Sequence, residues 1–135
     1  MKKILVIEPR IFLSKVLRLY LQNQDFEVQN KEFYADGLEA LSQFKPNAII
    51  LDVSPTYPES LEFCLKMKNL EQAPQIAFII ITAHPEYQLF SSQLGADLCL
   101  VNPMRLNKLA EKINELILER LWFPSIKPLE AQDLA

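Results

Sequence analysis

The chain is poor in the residues from which metal, redox and nucleotide sites are usually built. It holds one histidine, two cysteines and two glycines in 135 residues. Cys64 and Cys99 form neither a Cys-x-x-Cys nor a Cys/His spacing, which argues against a zinc or dithiol centre; both read as small buried thiols. Neither Gly37 nor Gly95 lies in a phosphate loop of the G-x-G-x-x-G or G-x-x-x-x-G-K type, which argues against nucleotide binding. No apolar run is long: Ile76 to Ala83 is far too short to span a bilayer. The N-terminal apolar segment stops at Glu8, so it does not read as a signal peptide. Basic charge is not in excess either. Lys and Arg total 14 against 17 Asp and Glu, a net charge of −3, and no basic stripe is present, so direct nucleic-acid binding is not expected. What the chain does have is apolar content of 50%, enough for a core and against global disorder. The expectation is one domain, placed in the cytoplasm and away from the membrane.

Apolar runs and amphipathic segments alternate along the chain. Ile4 to Ile7 reads as a buried strand, and a helical segment follows Pro9 to about Asn23, with Phe12, Val16, Leu19 and Tyr20 at helical spacing. Phe26 to Gln29 is a second strand. A helix around Asp36-Gly37 then runs to Phe44 and is stopped by Lys45-Pro46. Ile49 to Leu51 is the third strand, and a helix is expected from about Ser60 to Leu70. Ile76 to Ile81 is the fourth strand, followed by a helix with Pro85 in its first turn and Gly95 at its end. Leu98 to Val101 is the fifth strand. The last helix runs from about Leu106 to Leu121, with Leu109, Ile113, Leu116 and Ile117 on its buried stripe. Five β-α units with short connections predict an α/β fold, (βα)5, with a parallel sheet covered by helices on both faces.

The third strand carries the strongest functional signal. Asn47 to Leu51 is apolar but for its first residue, and it ends abruptly in Asp52 before a loop punctuated by Pro55 and Pro58. In an open parallel sheet, ligands gather in the crevice beyond the carboxyl ends of the strands. A carboxylate there is a site candidate; a turn or helix-cap aspartate is the plain alternative.

The order of elements, together with Leu51-Asp52, Ile81-Thr82-Ala83, Gly95-Ala96-Asp97 and Val101-Asn102-Pro103, resembles the receiver domain of bacterial response regulators. The resemblance covers Lys2 to about Leu121. It implies a flavodoxin-like, doubly wound five-stranded sheet. It also implies that Asp52 is the phospho-acceptor, fed by a histidine kinase, and that Thr82 is the switch hydroxyl that bonds the phosphoryl group. Three positions depart from the family. The acidic pair that binds Mg²⁺ after the first strand is here Glu8 and Pro9. The Lys-Pro that ends the family's fifth strand is here Asn102-Pro103. The aromatic residue that moves with the Thr is Cys99.

Phosphoryl transfer to a carboxylate is mostly charge neutralisation and positioning. Pro9 offers neither a carboxylate nor an N–H. A lysine a few ångströms from a phosphoryl group is worth on the order of 4 kcal/mol near a protein surface, and Asn102 can donate a hydrogen bond but no charge. Mg²⁺ is usually held by one or two carboxylates plus waters, so Glu8 and Asp52 leave at most a weak metal site. Three acids with one lysine carry the same net charge as two acids without one. The pocket therefore loses both signs together, compatible with a fold kept for its surfaces.

Other signals are subordinate. Asp52-Val53-Ser54-Pro55-Thr56 looks like the Asp-x-Asp-x-Thr motif of haloacid-dehalogenase-type phosphatases, but Ser54 stands in place of the general acid and there is no room for a cap domain. His84, beside the pocket mouth, reads as a solvated loop residue that could alternatively tune pocket charge. Tyr87, Leu89 and Phe90 exceed one buried stripe, and Trp122-Phe123 would extend the same side. These suggest a contact surface of Tyr87, Phe90 and Trp122, built on the fourth helix, fifth strand and last helix.

The resulting expectation is a stand-alone, non-enzymatic signalling module of the two-component class, with a domain over residues 1–123 and a flexible tail over residues 124–135. It would bind a histidine kinase or other signalling protein, or a second copy of itself, with impaired phosphorylation and no cofactor beyond weakly bound Mg²⁺. The alternative is a working phospho-accepting regulator switched at Asp52, with the phosphatase as a further reading.

Overall fold

In the computed structural model, residues 1–123 are described; the expected tail over 124–135 lies outside them. Five parallel strands, β1 (Lys3–Ile7), β2 (Glu27–Lys31), β3 (Ala48–Asp52), β4 (Ala77–Thr82) and β5 (Leu98–Val101), form one sheet in the order β2-β1-β3-β4-β5. This is the flavodoxin-like strand order. Among the described residues four α-helices surround it: α1 (Ile11–Asn23), α2 (Tyr34–Phe44), α3 (Pro58–Lys68) and α4 (Leu109–Trp122).

The central strands are apolar throughout because both of their faces are covered. In β1, Leu5 and Ile7 point to a core shared with Leu41 of α2 and Phe63 and Met67 of α3. Ile4 and Val6 point the other way, to Leu17 and Leu21 of α1 and Ile113 and Ile117 of α4. The period-two alternation of a strand thus feeds two separate cores. β2 and β5 are edge strands with mostly half-buried residues; β2 is polar accordingly, whereas β5 (Leu-Cys-Leu-Val) stays apolar.

Three expectations are corrected. The buried stripe of α1 is Leu17 and Leu21, with Leu13 and Tyr20 partly buried against the same core, whereas Phe12 and Leu19 are exposed. The expected stripe was rotated by one residue, because two interleaved apolar rows run along this helix. Helix α3 begins earlier than expected, at Pro58, where a missing N–H costs nothing in the first turn.

The third correction is the largest. The segment after Pro85 is a short 3₁₀ helix, Pro85–Leu89, followed by turns, and not an α-helix reaching Gly95. Ser91-Ser92 offers hydroxyls that compete for backbone bonds. The segment nevertheless closes as a helix end would: Ala96 N–H bonds the Ser91 carbonyl, Gly95 N–H bonds the Ser92 carbonyl, and Gly95 takes φ +89°.

Candidate functional site

The parallel arrangement brings the carboxyl ends of β1, β3, β4 and β5 to one crest. Asp52 closes β3 and is 2% exposed, while Glu8 directly follows β1 and is 1% exposed. Two carboxylates so deeply buried need partners. Arg10 supplies them. Its Nη2 lies 3.1 Å from Glu8 Oε1 and 3.1 Å from Asp52 Oδ2. Its backbone N–H also donates to Glu8 Oε2 at 2.9 Å. Pro9 lies inside this tight turn, and α1 starts immediately after Arg10. The guanidinium caps the acidic pair from the solvent side, its own side chain 42% exposed.

Burial pushes the Glu8 carboxyl up to about 7 from its ordinary 4.5; Asp52 beside it pushes in the same direction, and Arg10 opposes. Burial works against the charge of Arg10, but Glu8 and Asp52 outweigh it and hold the guanidinium more firmly protonated than usual. Tyr34, at the start of α2, donates its hydroxyl to the Asp52 backbone carbonyl at 2.5 Å. Its phenol is raised by burial and then by the two carboxylates, so it acts as a donor and not as an acid.

Thr82 ends β4 on the strand beside Asp52, whose register partner is Ile81. Its buried hydroxyl donates to the Val53 carbonyl at 2.7 Å and accepts the His84 N–H at 3.0 Å. Asn102 follows β5, and its N–H donates to the Thr82 carbonyl at 2.7 Å. Its side-chain Nδ2 is buried without a partner in the structure. Asn102 therefore brings an uncharged donor to the position just past the end of β5. Cys99 is half-buried on β5, against the core shared by α2 and α3, and burial raises its thiol.

His84 stands at the rim, with Nε2 3.4 Å from Ser54 Oγ and Nδ1 3.7 Å from Glu86 Oε1. Its side chain is 36% exposed in the loop after β4, with these two contacts at the rim. Ser54 Oγ already accepts the Thr56 N–H at 3.1 Å, which is a turn role and gives no support to a general acid there.

The residues present do not fit a Mg²⁺ site. No group of three or more His, Cys, Asp or Glu that could hold a metal ion occurs among the described residues. The two carboxylates that face each other share a guanidinium, and burial favours the protonated form of one of them.

Tyr87, Phe90 and Trp122 do not share a surface, which corrects the expected contact face. Tyr87 is 7% exposed and belongs to the core under α2 and α3, with Phe90 packed edge-on against it at 5.2 Å. The short 3₁₀ helix turns Tyr87 inward, and Phe90 just past its end packs against it, so the two cover a sheet face that a full helix would have covered. Trp122, 76% exposed, ends α4 on the opposite face of the sheet. It also stands at the far end, since its neighbour Leu121 lines a cavity with Asn47 and Ile76 at the strand beginnings.

Arg10 is the functional residue that sequence reasoning missed. Two of its acceptors are on Glu8, but the third is 42 residues away on Asp52. The available cue was a cation two positions after an acid that ends a central strand. It also revises the charge count: two carboxylates against one guanidinium leave one excess negative charge when both are ionised.

Comparison with known proteins agrees with this layout. A family profile described as response regulator receiver domain matches residues 4–114. The chain is 29% identical over 114 residues to the response regulator protein GraR of Staphylococcus aureus, covering 84% of this chain and 50% of that protein. The chain thus spans about half the length of the curated relatives it matches. Among solved structures, it is similar to the response regulator TrrA of Thermotoga maritima, crystallised in complex with Mg²⁺-BeF, with TM-score 0.75, 25% identity, and 86% of this chain and 99% of that one covered. It also shares its fold with a CheY-like receiver domain protein of Methanospirillum hungatei at TM-score 0.78, 23% identity, and 90% and 98% coverage.

Proposed function

The chain belongs to the response regulator receiver domain family, and from that premise we propose a two-component signalling module that works mainly through protein contacts, with phosphorylation of Asp52 impaired. The observation that carries this reading is the composition of the crevice. Asp52 and Thr82 are in place, but Asn102 leaves a buried amide where the family has a lysine, and Pro9 removes the second acid beside Glu8. The attacking carboxylate of Asp52 is already an acceptor of Arg10 at 3.1 Å, which lowers its nucleophilicity. A charge that must develop on an incoming phosphoryl group then has one shared guanidinium to meet it, where the family provides a lysine and a metal ion. The partner is a histidine kinase or another signalling protein, or a second copy of the chain, and the module has no catalytic activity of its own.

Because a switch transmits a signal only through differential affinity for two states, an impaired switch implies constitutive partner binding. A working regulator switched at Asp52 is the second reading; the adjacent placement of Asp52 and Thr82 on β3 and β4 favours it. Incubation with a small acyl-phosphate donor, with and without Mg²⁺, separates the two by intact mass. Slow or absent labelling of the wild type, recovered in Asn102→Lys/Pro9→Asp, supports impairment. Rapid labelling of unmodified Asp52 selects the working switch.

A further inference from the structure

We infer that Arg10 is the resident counter-cation of this pocket: its guanidinium holds Glu8 and Asp52 together and keeps divalent metal out. The inference deepens the proposed reading and rests on it for the metal's ordinary place in the family.

Four contacts fix the arginine, the longest from Nε to Glu8 Oε2 at 3.5 Å. Its N–H reaches Glu8 Oε2, and Nη2 reaches one oxygen of each carboxylate. The turn that starts this arrangement contains Pro9, whose ring fixes φ and removes a competing donor. A guanidinium stays charged at every relevant pH and presents its donors in a rigid planar fork, a geometry suited to oxygens about 3 Å away. Mg²⁺ demands near-octahedral oxygens at roughly 2.0–2.1 Å and gives up its waters reluctantly. The two cations therefore want different separations of the same carboxylates, and occupancy by one excludes the other.

The intramolecular cation has two further advantages. It is tethered, so it competes at a high effective concentration, whereas a free ion must be present in solution. It also matches the charge left in the crevice. Glu8 and Asp52 are each almost fully buried, and a single positive charge supplied from the rim offsets one of them without bringing new charge into the interior. What the pocket then lacks is an opening for a hydrated dication, because the guanidinium lies between the two oxygens that such an ion would need.

The test titrates the full chain with Mn²⁺, read by the paramagnetic resonance of the free ion, and with Mg²⁺ by calorimetry. Wild type, Arg10→Gln, Arg10→Met and Arg10→Gln/Asp52→Asn are compared after circular dichroism has verified folding. The expected result is no saturable binding by wild type in the low millimolar range, with both single variants binding roughly tenfold more tightly or better, a difference of about 1.4 kcal/mol. Adding Asp52→Asn should abolish the gain. Two uncharged replacements of different polarity guard against one of them misfolding. Saturable millimolar binding by wild type overturns the inference, and so does an unchanged, weak affinity in both single variants. Asp52 labelling is not the readout. Slow labelling with unchanged metal affinity in the variants therefore defeats the arginine inference alone, and rapid wild-type labelling defeats the functional reading alone.

Discussion

The sheet has an arginine–carboxylate cluster at each end, and the two are built to different ends. At the strand beginnings, Asp97 pairs with Arg120 of α4, with side chains 2% and 5% exposed. Asp97 also accepts the Phe78 N–H at 2.9 Å, so one buried acid meets one buried base and a strand N–H. At the strand ends, two buried acids share one arginine that is 42% exposed. Among the described residues, the first cluster sets one buried acid against one buried base and ties α4 to the start of β4. The second keeps an excess of acid and its cation at the rim, where a ligand or partner can reach it. Burial of charge alone therefore does not mark a site; imbalance together with access does.

This contrast can be broken from either end. The largest effect is expected at the first cluster. Arg120→Ala leaves Asp97 buried without its cation and should cost about 3–5 kcal/mol, read by urea unfolding. A loss below about 1 kcal/mol would mean that the pair is solvated and the contrast is wrong.

At the open cluster the signature is a pH dependence. Burial raises Glu8 to about 7 from 4.5, so its protonated form favours the fold. That contribution is complete below about pH 4.5 and is lost as the pH rises through about 7. The full decline is on the order of 3 kcal/mol, each tenfold change in proton affinity being about 1.4 kcal/mol. It should vanish in Glu8→Gln. Urea midpoints at mildly acidic and mildly alkaline pH decide, and an equal decline in wild type and variant would remove Glu8 as its source.

A smaller effect is expected from Arg10→Gln. Its hydrogen bonds go to charged groups, but the guanidinium is half in water, so stability at neutral pH should fall by about 1 kcal/mol. The smallest is Trp122→Ala, which removes an exposed side chain and should stay within about 0.5 kcal/mol. A larger loss at Trp122 would mean that the helix end is covered in solution.

The fold was legible because each central strand is largely an apolar run punctuated by Pro, Asp or Asn, and because Lys45-Pro46 marks the true end of α2. Asp52 could be found because it ends a buried strand, whereas Glu8, Thr82 and Asn102 were identified through the family resemblance; all four lie at or just past strand ends, and parallel strands end together. Arg10 could not, since an ion pair across 42 residues depends on which strands lie side by side. Tyr87 was misjudged because inward packing of a 3₁₀ helix leaves no helical period to read. The stripe of α1 was misplaced because Phe12 and Leu19 are apolar yet exposed, and periodicity alone does not say which of two neighbouring rows meets the core.

The claim at the centre of this account is that the crevice already holds its cation. The most direct measurement is the ¹³C titration of the Glu8 side-chain carboxyl in the wild-type chain, without and with millimolar Mg²⁺. The account predicts a midpoint near 7 that Mg²⁺ does not move. A midpoint that falls into the ordinary glutamate range when Mg²⁺ is added would show a metal ion displacing Arg10, and would contradict it.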